Sequence, residues 1–488
     1  MLRNYILALA TWVLALGQCG LAVNVDWTTI TNKRGDHLPD FSFCGYHASD
    51  KELPSISRPT SATLKASSKD QTSQIQTALD KVAASGGGVV ELGPGTFRIS
   101  PGLTIPNGTT LRGSGIESTH LSVSKLKESI PLIAFGKDPA HRVQPSSTKS
   151  ITDSYVGVGA STVTVQDTKG LQAGQAVFIS RTVTAKWIRY NGMADLTRDK
   201  KLQTWIQEGS LVQQPRIIKG IEGKKVTLTV PLTDALDEKY MSPYLAAFTP
   251  PFVTQEIGLE NLSIKLSPTC SGVALNSNNG CNAEAISVSP WTVDSYIRQV
   301  NITGFNTFIN VQNNASRITI DHVGLFRDKD TDKSAGYPAD IGIMGSQVLV
   351  QDCGQYGIKT AKAFSVATQA GTPGPNAVLR HTIQSDLQQI YPHQRWAHGF
   401  LAEDTDAGVL YINRGNAGTG HGWAISAGVA WNVRGDVNIS SPPLGVNWGI
   451  GTTGGVEKET NGSMIDTGTA VTPQSLFGAQ LAKRKGTK

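Results

Sequence analysis

Cysteine is scarce, five in 488 residues, and the five are too scattered for a zinc site, which needs tighter pairs or neighbouring histidines. Charge is also thin. Asp, Glu, Lys and Arg make up only 17% of the chain, which together with 51 glycines reads as many turns and β structure and argues against long helices or disorder. Lys plus Arg exceed Asp plus Glu by only 44 to 38, too small a surplus to indicate nucleic acid but compatible with an acidic substrate. After the first 22 residues no apolar run is long enough to cross a bilayer, so no membrane partner is expected. The triplet Gly86-Gly87-Gly88 is not followed by Gly-Lys-Ser/Thr, which removes a phosphate cradle and leaves a tight turn.

Residues 1–22 carry one cation (Arg3), an apolar run from Ile6 to Leu16 and the small-residue exit Gly20-Leu21-Ala22. That is the pattern of a secretory signal peptide, so a secreted protein acting as a monomer is expected. Loss of Cys19 with the leader leaves an even set, of which Cys270 and Cys281 bracket a polar loop and are the expected disulfide; a Cys44–Cys353 bridge stays open. Sequons at Asn107, Asn261, Asn301, Asn314, Asn438 and Asn461 fit a glycoprotein.

Residues 23–69 are polar and irregular. A helix then starts near Asp70, with Ile75, Ala78, Leu79 and Val82 on one face. Very short strands follow, Val89–Leu92, Thr96–Ile99, Leu103–Ile105 and Thr110–Arg112, completing a first segment over 70–122. Short apolar strands return from Ile257 at intervals of roughly 20 or 30 residues, through Ile318–Ile320, Val348–Val350, Ala377–Leu379 and Val409–Tyr411 to Val429–Trp431. Such spacing suits a solenoid over 251–455 whose rungs keep their length while the loops vary. Between 123 and 250 the rhythm changes to longer strands (Ser161–Val165, Ala176–Ile179, Lys225–Val230) with Trp187 and Trp205, read as a β-rich insertion beside the solenoid; 456–488 is a tail.

The runs Gln74–Leu79, Gly86–Phe97, Leu103–Ile105 and Leu111–Gly115 resemble the N-terminal cap and first rungs of the pectate-lyase superfamily. The resemblance covers most of 70–455 and implies an all-β fold, a right-handed parallel β-helix with an N-terminal capping helix. It does not fix the reaction, because that superfamily holds lyases, hydrolases, epimerases and phage tailspikes. Polygalacturonase-type hydrolases share the fold, but here Gly420-His421-Gly422 lacks their Asp-Asp pair and Arg-Ile-Lys.

The chemistry is concentrated near the C-terminal end, in Tyr391-Pro392-His393-Gln394-Arg395-Trp396-Ala397-His398, then Asn413-Arg414-Gly415 and Gly420-His421-Gly422-Trp423. Arg395 and Arg414 are 19 residues apart, and His398 and His421 are 23 apart, close to one solenoid turn, which predicts a ladder on one face. Arg395 and Arg414 suit a carboxylate, since a guanidinium offers two parallel donors. His393 or His421 suits a base, with an ordinary pKa of ~6.5. Strand alternation would place His393 with Arg395 and Trp396 with His398. Trp396, Trp423, His398, Asn413 and Tyr391 are the candidate substrate contacts, although the tryptophans serve equally as core. Cleavage of a uronate-containing polysaccharide by β-elimination is the resulting expectation, with no cofactor required. Asp328, Asp330 and Asp332 alternate like Ca2+ ligands without the glycine and glutamate of an EF-hand. The rivals are a glycoside hydrolase using carboxylates from Asp328–Asp340 or Glu403–Asp406, and a non-catalytic carbohydrate binder.

Overall fold

A computed structural model describes residues 22–139, 143–270, 281–330 and 338–487; residues 1–21 of the leader, with Cys19, lie outside these. Among the described residues, 17 strands pair into one long sheet and nine into a second, almost wholly in parallel. The chain alternates between them and climbs one rung per circuit. Parallel strands joined by crossovers take the right-handed sense, so the architecture is the expected right-handed parallel β-helix.

The core consists of columns of like residues. In the nine-stranded sheet Ile133, Ile286, Ile309, Ile341, Val366, Ile390, Val409 and Val437 stand in register, each buried. A column in the long sheet runs Leu111, Leu259, Ile297, Ile320, Val350, Val378, Ala402, Ala430. It shrinks to alanine towards the C-terminal end, where Tyr411 enters the core: in the neighbouring column a Cβ on Gly428 would meet its ring at 2.8 Å. Each strand is too short to bury its apolar face alone, so stacking supplies the burial.

From Asn261 onward the long sheet bends sharply at single residues with left-handed backbone. Asn261, Gln299, His322, Asp352, Arg380, Asp404 and Asn432 occupy equivalent places in register, with φ between 49 and 63°. Glu256, Asp294, Arg317 and Gln347 form a second such corner, with φ of 46 to 58°. A non-glycine residue there costs roughly 1–2 kcal/mol, offset by pairing with the rungs above and below.

The helix Thr72–Ala84 closes the N-terminal end of the core with Ile75, Leu79 and Val82. Asp70 accepts from Thr72 N at 3.0 Å but stands one residue before the capping position, which Gln71 fills without a side-chain bond. Gly87 (φ 96°) lets the chain turn out of the helix: a Cβ there would lie 2.4 Å from the Gly108 carbonyl oxygen. The tail ends in the helix Leu476–Lys485, which packs with Leu38 and Phe41 on the outer face of the long sheet, over Leu401, Trp431 and Trp448.

The insertion is a six-stranded antiparallel sheet with strands between Ser147 and Ala247. It begins later than position 123, because Ile133–Phe135 is still a rung, stacked between Leu103–Ile105 and Glu284–Val288. Cys270–Cys281 is a disulfide; Cys44 and Cys353 are free and buried in separate clusters, so the open Cys44–Cys353 pairing does not form. Asn438 is buried and its amide donates to Glu457 at 3.0 Å, which removes it from the accessible sequons.

Two substitutions test this reading by denaturant unfolding. Ile309→Ala, in the middle of a core column, should cost about 2–5 kcal/mol. Gln299→Gly, at a left-handed corner, should be neutral or stabilising by up to ~1 kcal/mol, because glycine adopts that backbone freely.

Candidate functional site

The segment after strand Gln389–Ile390 leaves the nine-stranded sheet, and Arg395 and Trp396 both adopt left-handed backbone (φ 53 and 60°) before strand Ala397–Glu403 begins. Two successive left-handed residues break the extended alternation, so the expected pairing of His393 with Arg395 on one strand face does not arise. Steps of 19 and 23 residues do occur between rungs, as in Ile390 with Val409 and Ile297 with Ile320, but His398 and His421 are not partners in such a step. In register His398 pairs with Ser426, and Ala397 with Ile425, a 28-residue step.

Half of the motif instead holds the insertion. Trp396 and Trp423 are buried with Trp187, Trp205 and Met193 of the insertion in one cluster. Trp187 and Trp205 stack at 4.8 Å, and Trp396 meets Trp187 edge-on at 4.8 Å. Trp396 Nε1 donates to Asp234 Oδ1 at 2.8 Å, and Trp423 Nε1 to the Asn191 carbonyl at 3.0 Å. Asp234 also pairs with Arg181 at 2.5 Å; burial would raise its pKa, but neighbouring positive charge, Arg181 first, together with the hydrogen bonds from Arg181 and Trp396 outweighs that and holds it low. His398 is buried with Nδ1 2.8 Å from Thr233 Oγ1, and burial lowers its pKa to about 4. Trp396, Trp423 and His398 therefore do not face substrate. Arg395 is likewise committed: Nε donates to the Trp205 carbonyl at 2.6 Å, Nη2 to Thr419 Oγ1 at 2.7 Å, and Nη1 to Gln394.

The other half stays at the rim of this dock. His393 and His421 lie edge-on with ring centroids 4.8 Å apart. Arg414 sits 4.9 Å from the centre of the Tyr391 ring and 5.6 Å from that of Phe364, and donates to the His393 carbonyl at 2.7 Å. His393 Nδ1 meets Gln369 Oε1 at 3.1 Å, and Nδ1 of His421 has no protein partner. Desolvation, reinforced by the Arg414 charge, lowers the His393 pKa to about 3 and that of His421 to about 4. Both imidazoles are neutral at ordinary pH. No carboxylate is among the groups acting on either ring. Asn413 is exposed and accepts from Gly415 N at 2.8 Å, shaping the loop that carries Arg414. Phe364, Gln369 and the insertion's Arg198, which donates to the Gly418 carbonyl at 2.7 Å, belong to this rim but carried no local motif.

The acidic alternatives are spent elsewhere. Asp340 is fully buried against Arg327 (2.7 Å). Glu403 is buried and accepts from Phe477 N at 2.9 Å, capping the C-terminal helix, while Asp404 and Asp406 both hold Arg434. Asp328 and Asp330 are exposed, Asp328 accepting from Thr269 Oγ1 at 2.8 Å; Asp332 lies outside the described residues. Among the described residues, Asp321, His322 and Asp352 have metal-ligand spacing, their ligand atoms within 4.8 Å, but Asp352 is already bound by both arms of Arg380 at 2.7 Å.

No family model and no curated protein matches this chain. Solved structures similar to it include the tailspike of Acinetobacter baumannii bacteriophage AP22 in complex with a capsular saccharide (10% identity, TM-score 0.31, covering 82% of this chain and 66% of that one). Another is a mutant tailspike of E. coli bacteriophage HK620 with a pentasaccharide (9%, 0.39, 82% and 56%). A third is polygalacturonase from Erwinia carotovora (12%, 0.37, 85% and 98%). The chain thus spans about two thirds or less of the tailspikes' length, and the fold assignment rests on the strand pairing itself.

If the dock is as described, Asp234→Ala leaves Arg181 buried without its partner. It should destabilise the protein by about 3–5 kcal/mol in chemical denaturation, far more than removal of an exposed acid such as Asp199.

Proposed function

We propose that the chain is a secreted carbohydrate-active β-helix that cleaves a uronate-containing polysaccharide by β-elimination at the His393–His421–Arg414 rim. One observation carries this reading: two neutral imidazoles stand together beside a guanidinium, with no carboxylate acting on them. Elimination needs a cation to hold the uronate carboxylate and a base to take the C5 proton. Arg414 supplies the first and His393 the second. The C5 proton passes to His393, the C4–oxygen bond breaks, and a C4–C5 double bond forms. His421 lies close enough to offer a ring N–H to the departing oxygen. Paired carboxylates for glycoside hydrolysis are missing from this rim, which favours elimination there. The Cys270–Cys281 disulfide supports an oxidising, extracellular setting.

An imidazole with a pKa near 3 is a weak base in the free protein. A bound uronate carboxylate changes this by neutralising Arg414, so His393 becomes more basic as the substrate seats. The pH dependence follows. A base must be deprotonated, so kcat/KM should rise between about pH 3 and 4 and stay flat above, while the limb in kcat should lie higher because it reports the complex. A kcat/KM limb near the ordinary imidazole value of ~6.5 would contradict the site.

Turnover should be followed as new ultraviolet absorbance on a panel of uronate and neutral glycans. His393→Ala and Arg414→Ala should each lower kcat/KM by about 10²-fold or more with unchanged melting temperature. Reducing ends released without absorbance would show hydrolysis instead, and neither signal a binder.

A further inference from the structure

Between the insertion and the solenoid turns lies a cleft of about 530 Å3 whose lining includes none of His393, Arg414 or His421. Trp291 stands in it with φ 64°, a backbone state that a bulky side chain rarely takes. Its ring tilts against Phe248 at 5.9 Å, and Phe248 stacks on Phe178 at 4.1 Å, so the indole is held in place from behind. Pro250 and Val253 also line the cleft.

The charge in this cleft does not balance. Arg317 is held by both oxygens of Asp294 (2.6 and 2.8 Å), and Asp50 pairs with Arg484 at 2.7 Å. Arg216 also lines the cleft and is only 4% exposed, yet its donors reach uncharged oxygens alone: Pro215 at 2.8 Å, Pro231 at 3.0 Å and Gln214 at 3.2 Å, with Thr233 at 3.4 Å. Its Nε has no partner at all. Other buried guanidinium groups have a carboxylate, Arg181 with Asp234, Arg327 with Asp340 and Arg112 with Glu260. A buried cation without a counter-ion is costly, and an anion brought by a ligand would supply the missing partner.

We propose that this cleft is a second binding site, for an acidic saccharide whose carboxylate or sulfate approaches Arg216 while a sugar face lies against Trp291. The inference shares with the function proposed above only the class of ligand, and its readout is binding, not turnover.

Isothermal titration of the full chain with an oligogalacturonate, its carboxyl-reduced neutral counterpart, and inorganic sulfate alone tests this. Ile217, 38% exposed on the cleft wall, accepts a charge without burying it. Ile217→Glu should weaken oligogalacturonate binding about tenfold and Ile217→Lys should strengthen it severalfold, with the neutral glycan indifferent to both. Trp291→Gly, which suits the left-handed backbone, should weaken binding about tenfold through the lost ring. The cleft is overturned if the wild-type chain takes up no oligogalacturonate, if the three variants bind as it does, or if sulfate alone binds as tightly as the saccharide. His393→Ala separates the two sites: lost turnover with intact effects of the Ile217 variants leaves the cleft standing, and absent turnover in the wild type does not touch it.

Discussion

From Asn261 onward, successive rungs of the long sheet turn a corner through one left-handed residue, and the vertical alignment of those corners governs the rest. A corner out of line would put the next strand out of register, and a one-residue slip would turn its apolar side chains outward. The columns through Ile309 and Ile320 exist because Gln299, His322 and Asp352 bend the chain at the same height in each circuit. Corner side chains also join in ion pairs between rungs, where Arg380 bridges to Asp352 and Arg434 to Asp404 and Asp406. With the corners set, loops of any length fit between the strands, and one of them has grown into an entire antiparallel sheet.

That sheet decides what the basic C-terminal motif does. A cluster of tryptophans and a buried Arg181–Asp234 pair fasten it to the solenoid turns. Trp396, Trp423, His398 and Arg395 belong to the fastening. His393, His421, Arg414 and Tyr391, from the same stretch of sequence, stand just outside it. Burial lowers the pKa of both rim imidazoles, and the charges of Arg414 at the rim and of Arg395 in the fastening lower it further.

Across the molecule, carboxylates are assigned mainly to structural arginines. Asp340 answers Arg327, Glu260 answers Arg112 and Arg298, and Asp294 answers Arg317. Arg414 and Arg216 fall outside this scheme. Each presents positive charge beside an opening, one at the rim beside two imidazoles and the other in an aromatic cleft, and acidic saccharide chemistry suits both.

The sequence by itself determined the solenoid, because short apolar strands bounded by glycine and polar turns can bury their faces only by stacking. The capping helix, the insertion and the Cys270–Cys281 bridge were legible for similarly local reasons, spacing and composition. The list of site residues was legible only as a neighbourhood. Which of them meet solvent was set by the tertiary structure, since strand alternation fails where Arg395 and Trp396 turn left-handed and no sequence interval reveals that Trp187 and Trp205 will cover Trp396. The cleft around Trp291 and the lone charge of Arg216 join residues far apart in the chain. Neither has a local signature, and only folding brings them together.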